Sequence, residues 1–105
     1  MANDVFAALA HPVRRGIVER ISGGASTVGE ASRHLGVSKP TVSRHLRVLE
    51  EAGVVSRVID GRTHRLALHP ESLTYTAGWI EDQRKRWERL FDVVGEYLEE
   101  RKEPG

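Results

Sequence analysis

The chain has 105 residues, 39% of them hydrophobic, which suffices for one domain with a modest core. It contains no cysteine, which excludes disulfides and thiolate metal sites. Neither a basic-then-apolar leader in "MANDVFAALAHPVRR" nor an apolar run near the roughly 20 residues that span a bilayer is present, so a soluble cytoplasmic protein without a membrane partner is expected. The net charge is +1, but it is unevenly spread. Residues 1–69 hold ten Lys and Arg against six Asp and Glu, a balance of +4, while residues 70–105 hold six against nine, a balance of −3. A basic front suited to a polyanion is joined to an acidic tail.

In chain order, Val5, Phe6 and Leu9 make a short apolar turn. "HPVRRGIVERI" restarts the pattern, with Pro12 suited to a first helical position and Val13, Ile17 and Ile21 at four-residue spacing. The glycines of "SGGAS" stop that helix. Thr27 and Glu30 stand at capping-box spacing, so a third helix starts there and runs to Gly36 in "RHLGVS". Ser38 caps a fourth helix, "SKPTVSRHLRVLEE", which Gly53 closes. The period then changes. "VVSRVIDGRTHRLAL" is rich in β-branched residues with Asp60-Gly61 at its centre, which predicts strands at 54–59 and 63–68. Pro70 opens a last helix reaching about residue 101, roughly 48 Å at ~1.5 Å per residue, and residues 102–105 read as a frayed tail.

This order predicts a mainly α fold with a small β-hairpin wing: a winged helix-turn-helix with a long C-terminal helix. All 105 residues form a single domain, with a DNA-binding core at 3–69 and a dimerisation helix at 70–101. Small Ser32 allows close helix approach, Gly36 supplies a positive-φ turn, and Val42 fills the space between the two helices of the motif.

The fourth helix buries one stripe and leaves another. Val42, Leu46 and Leu49 face a core, while Pro40, Ser43, Arg44 and Arg47 cluster opposite, flanked by Lys39 and Thr41. No acid appears in the first three turns; Glu50 and Glu51 come only at the end. In a helix-turn-helix this helix enters the major groove with its N-terminal residues toward base edges. Lys39, Thr41, Ser43, Arg44 and Arg47 therefore stand where double-stranded DNA needs donors, and Arg62 with Thr63 at the hairpin tip can reach the adjacent minor groove or a phosphate. A solvated basic face is the competing reading, and the missing acids weigh against it.

"ALAHPVRRGIVERI", "VSKPTVSRHLRVLEEAGVV" and "DGRTHRLAL" together resemble the ArsR/SmtB family of dimeric winged-helix repressors over residues 3–69. The resemblance implies a homodimer that binds an imperfect inverted repeat and represses its operon until an effector binds. It also implies that Ser38, Lys39, Pro40, Ser43, Arg44 and His45 form the recognition segment and Arg62 the wing contact. The family's metal ligands are absent: "TVGEASRHLG" has no cysteine, and no histidine follows residue 69. His11 reads as a helix boundary, His34 as surface of the third helix, His45 as packed or phosphate-contacting, His64 as wing, and His69 as preceding the last helix. None has ligand spacing, so no metal and no cofactor are expected. Such a regulator has three routes of control left: a small-molecule effector, a partner protein, or its own concentration.

In the last helix Leu73, Ala77, Ile80, Arg84, Trp87, Phe91, Val94 and Leu98 form a heptad seam that only Arg84 interrupts. A second copy of the chain is the simplest cover for it, with Phe6 and Leu9 added to the interface. Five of the six aromatics lie in this helix. A dimer core and an apolar ligand pocket near Trp79 and Trp87 both fit them. An enzyme has no support, since there is no Gly-rich phosphate loop and no Ser–His–acid signature. A protein-interaction module on the same fold is the alternative, and it leaves the acid-free helix face unexplained.

Overall fold

The computed structural model describes residues 2–102. Its elements are α1 (Ala2–Leu9), α2 (Pro12–Ser22), α3 (Val28–Ser32), α4 (Lys39–Glu51), β1 (Val55–Asp60), β2 (Thr63–Leu68) and α5 (Pro70–Lys102). Lys102, expected in a frayed tail, is the last residue of α5, and the remaining tail positions lie outside the described residues. No described helix is long and apolar enough to cross a membrane.

Capping residues set most of the helix starts. His11 precedes α2 in extended conformation, and its Nδ1 accepts from the Val13 N–H at 3.1 Å. Thr27 caps α3 by accepting from the Glu30 N–H at 3.1 Å, and its hydroxyl donates back to the Glu30 carboxylate at 2.9 Å. That hydroxyl holds the Glu30 carboxyl below its ordinary value. Ser38 caps α4, whose hydroxyl accepts from the Thr41 N–H at 3.4 Å.

The third helix is shorter than its pattern suggests. It stops at Ser32 rather than running to Gly36, because Arg33 is already extended and His34 lies in the left-handed region at φ +60°. The Ser32 hydroxyl donates to the Val28 carbonyl at 2.5 Å, occupying an acceptor of the last turn. His34 therefore stands in the turn of the motif, exposed, and not on a helix. Gly36 follows at φ +73° and completes the reversal that leads into α4.

β1 and β2 form one antiparallel pair with Asp60 opposite Thr63, so the two-residue loop is Gly61-Arg62. Gly61, at φ +61°, occupies the first central position that such a hairpin reserves for glycine. β1 begins at Val55, one residue later than the pattern implied, since Val54 is occupied in the loop: its N–H donates to Leu49 and its carbonyl accepts from His69. The outer edge of β2 is held by residues before α3, with Leu66 N–H donating to the Ser26 carbonyl at 2.7 Å.

The core lies where the helices meet the base of the wing. Val5 and Ala8 of α1, Ile17 of α2, Ala31 of α3, Val42, Leu46 and Leu49 of α4, and Val55 and Leu66 of the hairpin are all buried. α5 joins it only at its start. Leu73 packs half-buried against the core, Thr76 is buried, and the Ser72 hydroxyl donates to the Gly53 carbonyl at 2.8 Å. Beyond that the helix leaves the domain, giving a long axis of 77 Å and a radius of gyration of 20.3 Å. A compact chain of this length would have about 13 Å.

Three residues expected at a subunit interface are partly accounted for within one chain. Leu9 and Leu73 pack half-buried against the core, and the Phe6 ring meets Trp79 edge-on at 5.3 Å. The spacing of Leu73 fits both the heptad seam and the domain-facing side of α5, and within the single chain it meets the domain core.

Gly36→Ala is expected to lower the unfolding free energy by about 1 kcal/mol. An added Cβ there meets nothing within 4 Å, so the cost is conformational alone. Gly78→Ala, in mid-helix and equally open, should move stability the other way by up to ~1 kcal/mol. Chemical denaturation of both variants checks the pair of signs.

Candidate nucleic-acid interface

With Val42, Leu46 and Leu49 inserted in the core, the other side of α4 has to face outward. Lys39, Pro40, Ser43, Arg44 and Arg47 are all exposed, and Thr41 is half-buried. Ser38 Oγ and Thr41 Oγ1 lie 2.9 Å apart, and Arg44 Nη2 donates to Thr41 Oγ1 at 3.1 Å. This draws the Arg44 guanidinium back along the first turn, where the positive end of the helix dipole also favours an anion. Among the described residues, no acid lies within ion-pairing distance of Lys39, Arg44, Arg47 or Arg62. Lys39, Arg44 and Arg47 therefore present charge that no carboxylate neutralises, and what holds the Arg44 guanidinium is a single exposed hydroxyl.

His45 sits differently from the other residues of this segment. It is half-buried on the flank of α4 toward α2, with Nδ1 3.1 Å from Arg14 Nη1 and its ring centroid 4.3 Å from that of His11. Desolvation first, and then His11, Arg14 and Arg44, lower its pKa, which favours the neutral imidazole. Packing therefore accounts for His45 more fully than a phosphate contact does.

The wing completes the surface. Arg62 is exposed at the hairpin tip and Thr63 is half-buried beside it. Both line a cleft of about 540 Å³ with Thr27, Val28, Gly29, Arg57 and His64, between the start of α3 and the wing. Sequence reasoning missed what fixes this cleft. Arg57 donates through Nε to the Glu50 carboxylate at 3.1 Å and forms a closer ion pair through Nη2, while its Nη1 lies 3.2 Å from His64 Nδ1. The wing is thereby tied to the C-terminal end of α4. A partial signal was available, because the hairpin register puts Arg57 and His64 on one sheet face.

On α5, Ala77, Ile80, Trp87, Phe91, Val94 and Leu98 are all exposed in the single chain, with Trp87 at 58% and Phe91 at 65%. Leu90, Val93 and Tyr97 widen this to a broad apolar arc. Arg84, the break in the seam, is neutralised along its own helix by Glu81, with Nη2 at 2.5 Å, and by Glu88. These carboxylates hold its guanidinium well above its ordinary value, Glu81 first. Trp79 lines a shallow groove of about 280 Å³ with Tyr75, but Trp87 does not share it. Among the described residues, no three His, Cys, Asp or Glu side chains gather as a metal site requires.

Comparisons with known proteins agree with this geometry. A family model described as a helix-turn-helix domain matches residues 9–58. The chain is 46% identical over 92 residues to the HTH-type transcriptional regulator Rv2034 of Mycobacterium tuberculosis, covering 88% of this chain and 83% of that one. It is 35% identical over 78 residues to the transcriptional repressor SdpR of Bacillus subtilis, covering 74% and 87% respectively. A crystal structure of an ArsR family transcriptional regulator superposes with a TM-score of 0.75 at 32% identity, covering 82% of this chain and 89% of that one.

Removing Glu50 leaves Arg57 partly buried without its carboxylate. Glu50→Ala is expected to destabilise the fold by about 1–2 kcal/mol and to speed amide exchange in β1 and β2 more than in α2. Hydrogen exchange followed by mass spectrometry distinguishes this from uniform loosening.

Proposed function

The chain belongs to the ArsR/SmtB family of winged helix-turn-helix transcriptional regulators, and on that premise we propose that it is a repressor that grips an inverted-repeat operator as a homodimer. The observation that carries the reading is the outward face of α4, where Lys39, Ser43, Arg44 and Arg47 are exposed and, among the described residues, no acid lies within ion-pairing distance. Arg44 and Ser43 are assigned to base edges, Lys39 and Arg47 to flanking phosphates, and Ser38, Pro40 and Thr41 to shaping the helix start. Arg62 and Thr63 extend the contact through the wing.

The homodimer rests on α5. From Trp87 to Leu98 its apolar seam is exposed over roughly three turns at 3.6 residues each, and an apolar surface of that size needs a cover. Two copies related by a two-fold axis cover it reciprocally and place two α4 helices for two half-sites. The basic winged domain and the acidic segment from residue 70 onward then divide the work between DNA and partner.

Affinity for a duplex of random sequence should fall steeply with salt, the logarithmic slope being about −0.9 for each phosphate neutralised. A protein-interaction module would show no such binding, and that result would sink this reading. Arg44→Ala is expected to weaken the preferred duplex by about 1–3 kcal/mol and to relax discrimination at one base pair, whereas Lys39→Ala should weaken all duplexes alike; competition titrations separate the two. Phe91→Asp should convert the dimer to monomers in sedimentation.

A further inference from the structure

Arg14 stands on α2 but spends its guanidinium on two other helices. Nε donates to the Ala8 carbonyl at 2.6 Å and Nη2 to the Ala7 carbonyl at 3.1 Å, both in the last turn of α1. Those carbonyls lie at the end of a helix, where intrahelical partners run out and a cation is favoured. Nη1 faces His45 Nδ1 on α4 at 3.1 Å. A guanidinium has no acceptor, so this contact is a hydrogen bond only if Nδ1 is unprotonated and the imidazole carries its proton on Nε2. α1 in turn packs against α5, through Phe6 on Trp79.

Resting on the DNA-binding reading above, we propose that Arg14 is a positioning residue for sequence recognition, fastening α4 to α1 so that a shift of α1 against α5 is passed to the base-reading helix. The fork shape is essential to this role. Three separate donors of one planar group reach Ala7, Ala8 and His45, and a lysine ammonium at the same place cannot span both helices.

The link also has a definite response to acid. The charged and titratable groups that act on His45 are His11, which caps α2, Arg14 of α2 and Arg44 of its own helix, while Asp4 of α1 and Glu51 of α4 line a cleft with Arg14. Protonating Nδ1 replaces an acceptor with a donor against the guanidinium and adds like charge. Because the folded pKa is depressed, the stabilisation is complete above the ordinary imidazole value near 6.5 and is lost as pH falls through the lower folded value. Acid usually strengthens attachment to DNA by adding positive charge. Here, selectivity is expected to fall while attachment to random duplex does not.

The test compares full-length protein, Arg14→Gln, Arg14→Lys and His45→Gln on a preferred and a random duplex from about pH 7.5 to about pH 5.5, with melting temperatures recorded alongside. Arg14→Gln and Arg14→Lys should each reduce the preferred-to-random affinity ratio about tenfold while random-duplex binding stays within about threefold. The ratio of the unmodified protein should drop with acid, and His45→Gln should flatten that slope. A ratio unchanged in Arg14→Gln, or restored by Arg14→Lys, overturns the inference and leaves the DNA reading intact. Equal losses on both duplexes also overturn it, since Arg14 would then supply only charge or fold. If the unmodified protein binds neither duplex, the DNA reading itself fails and this inference with it.

Discussion

Leu46 and Leu49 are buried almost completely, and with Val42 they fix α4 against α1, α2 and the base of the wing. Everything proposed for this protein depends on that stripe. A helix whose apolar side is committed to a core has its rotation about its own axis settled, and so the direction of Ser43, Arg44 and Arg47 is settled as well. Ser38 sets where the helix begins, Gly53 at φ +76° where the chain turns away, and the Arg57–Glu50 pair where the wing lies relative to both. The cations contribute little to folding; the core and the caps hold them in place for another purpose.

Two parts of the chain answer to opposite constraints. The domain from α1 to β2 closes on itself, and α5 does not. After Thr76 the helix presents Trp87, Phe91, Val94 and Leu98 to solvent within one chain. Arg84 is paired along the helix with Glu81 and Glu88, and the large side chains that the domain leaves uncovered are apolar. The Phe6–Trp79 contact lies where these two regions join, so that α1 touches both α5 and, through Arg14, the DNA-facing helix.

Much of this was legible in the sequence because it follows from short-range chemistry. The capping pair Thr27 and Glu30, Ser38 ahead of an amphipathic run, and the β-branched segment around Asp60-Gly61 each predict an element, and the structure has these elements with boundaries shifted by a residue or a few. What failed was decided by geometry between elements. The left-handed His34 ends α3 early, and no local pattern announces a histidine at positive φ. Arg14 and His45 are 31 residues apart, and Arg57 reaches Glu50 across a turn of chain, so neither contact has a spacing to betray it. Of the candidate DNA-facing residues, His45 alone is drawn toward the α2 side by such a contact.

The central claim is that two copies of α4, joined through α5, read two half-sites of one duplex. Selection of bound fragments from a random duplex library at near-physiological salt, run in parallel with Arg44→Ala, tests it most directly. The account predicts enrichment of an inverted repeat whose half-site centres lie about one helical turn, roughly 34–36 Å, apart, and its loss in the variant. No enrichment, a single unrepeated half-site, or the same repeat recovered by Arg44→Ala would contradict it.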